Sequence, residues 1–180
     1  MPSTLLEPCP GCGAPLPPLD GPTHRYIGAS PACWALYTAL QSGGEPPLAP
    51  APTNELLVDA YAAQHPGTPS PQAIQSVAVH LLVLHGIFAR GMSVERALWL
   101  RREALNERGG SRHGRYTWME PPDLAGSLSV AAIVREPTPE ARTAAVARYA
   151  EEVYRIWAAA HGPTIAGWYA AFVEGGKGQR

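Results

Sequence analysis

Apolar positions recur at helical spacing along most of the chain, and small polar residues followed by proline mark where each run begins. Ser30-Pro31 reads as an N-cap with proline in the first turn, opening a helix to about Gln41 that stops at Gly43-Gly44. After a Pro/Gly/Ala linker, Gly43–Pro52, Thr53 caps a second helix through His65, ended by Pro66-Gly67. Ser70-Pro71 opens a third, to about Arg90. It carries Ile74, Val77, Val79, Leu81, Leu82, Val83, Leu84 and Phe88 nearly all round, so it is expected at the centre. Ser93 caps a fourth to about Arg108, and a loop runs from Gly109 to Pro122. Ser129–Val134 makes a short helical piece. Thr138-Pro139 opens a long helix to His161, with Val146, Tyr149, Val153, Ile156, Trp157 and Ala160 as its stripe and Glu151 and Arg155 in support at i,i+4. Gly162-Pro163 breaks it, and Thr164–Phe172 follows with Ile165, Trp168 and Phe172 inward.

Residues 1–29 differ. Their prolines exclude a long helix. Asp20-Gly21, between Ala14–Pro18 and His24–Ile27, predicts the turn of one short β-ribbon. The expected fold is therefore mostly α: a bundle of five to six helices with a proline-rich, zinc-knuckle-like head. The head and first helix take 1–42, the bundle takes 53–174 and packs with them as a single domain, and 175–180 fray.

Composition narrows the classes. With 180 residues, 46% hydrophobic and 16% charged, the chain can build a full core and is not disordered. A net charge of −1 argues against a globally basic nucleic-acid binder. Arg90, Arg96, Arg101, Arg102, Arg108, Arg112 and Arg115, followed by Tyr116 and Trp118, could bind single-stranded nucleic acid. They are interrupted by Glu95, Glu103 and Glu107, however, and read better as a solvated helix face. No basic-then-apolar leader opens the sequence, and the apolar run Val77–Ala89, broken by His80 and His85, is too short to span a membrane. The expectation is a cytoplasmic protein with reduced thiols. Trp99, Trp157 and Trp168 all fit core stripes.

The sharpest chemical motif is Cys9-Pro10-Gly11-Cys12-Gly13. Two thiolates at this spacing can grip one tetrahedral Zn²⁺, and the glycines let backbone amides turn toward the sulfurs. A redox dithiol would open a helix, which Pro15, Pro17 and Pro18 prevent. Cys33, in the first turn of the Ser30-Pro31 helix, is the third candidate ligand. A helix N-terminus favours a thiolate there.

A knuckle, a ribbon and a ligand in a helix's first turn look like half of a treble-clef finger. That helix offers no second ligand, so the fourth must come from elsewhere. His24 is the first choice. His65 and His80 are alternatives if the helices fold back over the head, with Asp20 or water behind them. The competing readings are three free cysteines and a Cys33 nucleophile beside His24 and Asp20.

A second cluster comes from the short turn Pro66–Ser70, which makes the second and third helices antiparallel neighbours. Asp59 then falls level with Gln75 to His80 and could orient the His80 imidazole. Asp59, His65 and His80 are the weak catalytic candidates; the plainer reading is a satisfied polar cluster.

The segments CPGCGAPLP, DGPTHRYIGASPACW, VDAYAAQHPGTPSPQAIQSVAVHL and RIWAAAHGPTIAGWY together resemble a family of small bacterial proteins of unknown function. The resemblance implies a soluble helical protein and places Cys9, Cys12, His24, Cys33, Asp59, His65, Gln72, Gln75 and His80 among its motif-bearing positions. It implies no activity. The reading of the residues is a zinc protein whose metal is structural, serving as an interaction or regulatory module toward an unknown protein or small molecule. The alternatives are a hydrolase-like metal enzyme, using an open zinc position or the Asp59/His80 cluster, and a nucleic-acid binder.

Overall fold

The computed structural model describes residues 5–42, 52–105 and 116–175, and they form helices joined to a small hairpin. The hairpin pairs β1 (Glu7–Pro8) antiparallel with β2 (Pro15–Leu16), Glu7 opposite Leu16 and Pro8 opposite Pro15. Its turn is the knuckle itself: Gly13 N–H donates to the Cys9 carbonyl at 2.8 Å and Cys9 N–H to the Ala14 carbonyl at 2.9 Å. Gly13 has φ +70°, which glycine adopts without strain. The expected ribbon around Asp20-Gly21 is thus corrected. Residues 24–27 close a turn, Ile27 N–H on the His24 carbonyl at 3.3 Å, so no second strand returns there.

Helix α1 (Pro31–Gln41) starts as its cap chemistry requires, with Ser30 Oγ accepting from Cys33 N–H at 3.3 Å. Helix α2 (Thr53–Gln64) is capped by Pro52 without a side-chain bond, so Thr53 is its first residue rather than its cap. Its second half, Asp59–Gln64, is wholly buried. Helix α3 (Pro71–Phe88) begins with Ser70 Oγ on Ala73 N–H at 3.1 Å. At 18 residues and mean hydropathy 1.3 it meets the length and composition of a membrane-crossing helix, so the apolar stretch is longer than the sequence suggested. Its buried residues from Val77 to Gly86, which are all but His80, lie within the bundle, as in the core helix of a globular fold.

Helix α4 (Val94–Leu105) buries Ala97, Leu98, Leu100 and Ala104 but leaves Trp99 51% exposed, which removes Trp99 from the core. A short α5 (Val130–Ile133) precedes α6 (Pro139–Gly175). The expected break at Gly162-Pro163 is a kink at His161 (φ −134°, ψ 17°), after which the helix continues through Ile165 and Phe172. The linker from Gly43, the end of the fourth helix near Arg108, the first part of the 109–122 loop and the tail beyond Gly175 lie outside the described residues.

The core forms where α2, α3 and α6 pack on one another, α4 covers α3, and α1 rests on α5. Val146, Tyr149, Val153 and Trp157 of α6 are fully buried, as the stripe predicts, whereas Ala160 is exposed. Buried polar groups tie the layers. Tyr149 O–H donates to Gln64 Oε1 at 2.7 Å, Gln64 Nε2 donates to Ser127 Oγ and the Leu128 carbonyl, and Trp157 Nε1 donates to the Ala63 carbonyl at 2.9 Å.

Candidate metal centre

Four side chains from three separate elements converge beneath the head. The knuckle supplies Cys9 and Cys12, the first turn of α1 supplies Cys33, and the C-cap of α2 supplies His65. One ligand atom of each lies within 4.8 Å of all the others, and all four residues are buried, none more than 2% exposed. Such a set could hold a metal ion.

Two of its edges match a tetrahedral site. With zinc–sulfur bonds near 2.3 Å and a zinc–nitrogen bond near 2.0 Å, tetrahedral edges are about 3.8 Å for S···S and about 3.5 Å for S···N. Cys12 Sγ lies 3.9 Å from Cys33 Sγ, and Cys33 Sγ lies 3.4 Å from His65 Nε2. The surroundings also suit thiolates. Ser30 N–H points at Cys9 Sγ (3.4 Å) and Tyr61 O–H at Cys33 Sγ (3.6 Å). His65 Nδ1 sits 2.9 Å from the Tyr61 carbonyl oxygen, which fixes its proton there and turns the Nε2 lone pair toward the sulfurs.

Glycines make the approach possible. A Cβ on Gly11 would fall 2.4 Å from His65 Cδ2, and one on Gly28 would fall 2.9 Å from the Gly67 backbone. Head and α2 are further tied by Gly28 N–H on the His65 carbonyl at 3.0 Å.

The electrostatics show why the set favours a cation. Hydrogen bonds from Cys12 and Cys33 pull the Cys9 thiol far down. The Cys33 thiol is driven far up by Cys12, then Cys9, then burial, because a second and third negative charge cannot join the first without a counter-ion. Burial alone would depress His65, but its contacts with Cys12 and Cys9 outweigh that and push it up to about 9. Burial, reinforced by the charge of Cys33, raises Tyr61.

The structure therefore brings together Cys9, Cys12 and Cys33 and completes the set with His65, the second choice for the fourth ligand. His24 is corrected out of that place. The turn at 24–27 directs its ring onto Tyr26 (4.3 Å between centroids) and Trp34 (5.3 Å), and its buried Nδ1 has no partner among the described residues. Asp20 is exposed. His80 faces α2 instead: its Nδ1 lies 2.7 Å from Asp59 Oδ1, which also accepts from Arg101 Nη1 at 3.3 Å, while Arg101 pairs with Glu55. Gln72 is exposed and Gln75 half-buried. Sequence reasoning missed the role of Tyr61, for which the i,i+4 spacing of Tyr61 and His65 is the available signal; it reads Gly11 as freeing backbone amides, whereas the structure shows it making room for the His65 ring.

Fold and site together define a helical protein whose N-terminal knuckle meets the bundle through a Cys3His cluster. The chain belongs to a family of unknown function, DUF5946, whose model matches residues 7–158 and so spans all four cluster residues. No curated protein and no solved structure matches the chain.

Proposed function

We propose that the chain is a zinc protein in which Cys9, Cys12, Cys33 and His65 hold one Zn²⁺, and that the metal is structural. The closed donor set carries this reading: four buried protein ligands leave no position for water or substrate, the arrangement of structural rather than catalytic zinc. Three sulfurs and one nitrogen suit zinc over harder cations. The head is a two-residue-strand hairpin with Leu5, Leu6 and Leu19 exposed, too small to bury a core of its own. A metal clamped between knuckle, α1 and α2 supplies what that core would. Zinc binding in small modules is worth about 10–16 kcal/mol of apparent free energy.

In this reading the protein is an interaction or regulatory module acting on a protein or small molecule in the cytoplasm. Three buried, unpaired cysteines support a reducing compartment. A nucleic-acid role is disfavoured because Arg101 of the basic stretch is spent on Glu55 and Asp59. Metal analysis of freshly purified reduced protein tests the proposal. About one zinc per chain is expected, lost in Cys9→Ser/Cys12→Ser; metal-free wild-type protein refutes it.

A further inference from the structure

Away from the cysteines, α2, α3 and α4 enclose a second polar cluster. Asp59 is 0% exposed at its centre, with His80, Arg101 and Glu55 around it. Its Oδ1 receives both His80 Nδ1 and Arg101 Nη1, while Oδ2 is buried with no partner among the described residues. A buried carboxylate oxygen left unsatisfied is costly, and where it persists it calls for an explanation beyond packing.

The consequence falls on His80. The 2.7 Å contact holds the imidazole proton on Nδ1, so the lone pair lies on Nε2. Nε2 has no hydrogen-bond partner among the described residues, and the His80 side chain is 15% exposed. A buried carboxylate thus orients an imidazole whose basic nitrogen is uncommitted, the relation that orients a catalytic histidine.

The charges around it select the chemistry. Glu55 and Asp59 on α2 face Arg101 on α4, and Tyr37 of α1 lies within their field. Two carboxylates, Glu55 and Asp59, against the one guanidinium of Arg101 leave a net negative charge beside the imidazole, which repels anions and favours uncharged substrates. We propose that His80, positioned by Asp59, is a nucleophilic imidazole that accepts acyl groups from small uncharged esters. This site is separate from the metal centre, since neither Asp59 nor His80 is among the cluster residues.

The Nε2 lone pair attacks the ester carbonyl carbon and a C–N bond forms. The C–O bond to the leaving group breaks, and that oxygen departs with the electron pair. The acyl-imidazolium is countered by Asp59. Water then adds to the acyl carbon and the C–N bond breaks, the electron pair returning to Nε2; one water proton stays with the carboxylic acid, the other goes through solvent to the departed oxyanion, and the imidazole is restored neutral.

The test is hydrolysis of p-nitrophenyl acetate by the full chain, with metal content measured in every sample. Wild-type protein should exceed an equal concentration of free imidazole at least tenfold. His80→Gln should fall to the free-imidazole level, and His24→Gln and His161→Gln should not change the rate. Asp59→Asn should lose tenfold or more while retaining its metal, and the ¹⁵N shifts of His80 should move away from the Nδ1–H tautomer. A wild-type rate no better than imidazole, full activity in His80→Gln or an unchanged rate in Asp59→Asn overturns the proposal. If Asp59→Asn does not fold, the wild-type ¹⁵N shifts decide: an Nε2–H tautomer overturns it. Metal loss in Cys9→Ser/Cys12→Ser bears on the zinc reading alone.

Discussion

The backbone carbonyl of Tyr61 lies 2.9 Å from Nδ1 of His65, one helical turn on, and leaves His65 Nε2 3.4 Å from Cys33 Sγ. The last turn of α2 thereby serves two ends at once. It fixes the tautomer of the candidate ligand, and the Tyr61 hydroxyl reaches the same sulfur that the imidazole faces.

From this follows a contrast between two histidines. His65→Ala should lose most bound metal and melt at a markedly lower temperature. His24→Ala, which removes a ring set edge-on to Tyr26 and tilted against Trp34, should keep its metal. Elemental analysis with thermal melts on both variants checks this.

Gly11→Ala should act at the same place through shape alone. The added methyl would sit 2.4 Å from the His65 ring and 2.8 Å from the Gly28 carbonyl, so the ring must move and metal affinity should fall at least tenfold. Gly167→Ala is the counter-case. Nothing lies within 4 Å of its Cβ position on exposed α6, and the change should stabilise by about 0.5–1 kcal/mol. Competition with a chromophoric chelator and denaturant unfolding read the two effects.

Gln64→Leu should cost about 3 kcal/mol. It strands the buried Tyr149 hydroxyl, and it removes the amide that donates to the half-buried Ser127 hydroxyl and Leu128 carbonyl. Urea unfolding of metal-loaded protein measures it.

Acid should act on the protein in two separable ways. Metal retention should fall with pH because protons compete for three thiolates and His65. His85, on α3 against the Tyr154 hydroxyl (2.9 Å), is held below its ordinary range by burial and then by Arg90. The unfolded chain therefore takes up this proton first. Stability should be full above about pH 6.5 and decline as pH falls through the depressed folded value. His85→Gln should flatten that part of the stability–pH curve, measured at saturating metal.

What the sequence reveals and conceals divides along the range of the interactions. Ser30, Ser70, Ser93 and Thr138 mark helix starts because a side-chain oxygen meets a backbone N–H three residues on, a contact written entirely in local sequence. The three cysteines are legible for a related reason: knuckle spacing and a helix first turn each imply thiolate chemistry. The fourth ligand is not local. Choosing between His24 and His65 requires knowing that residues 24–27 turn rather than extend, and that glycines at 11, 28 and 67 let α2 approach the head. The ribbon was misplaced because Asp20-Gly21 is a generic turn signal, whereas the actual turn is enforced by Gly13 at positive φ. The Asp59–His80 pairing was foreseeable, since a short turn between antiparallel helices sets which positions stand level.

The most direct measurement is zinc-edge X-ray absorption on the purified, reduced protein. Three sulfur neighbours near 2.3 Å and one nitrogen near 2.0 Å are expected, with the nitrogen shell lost in His65→Ala and kept in His24→Ala. A zinc shell of oxygen and nitrogen alone, or a spectrum unaltered by His65→Ala, would contradict a Cys3His centre joining head to bundle.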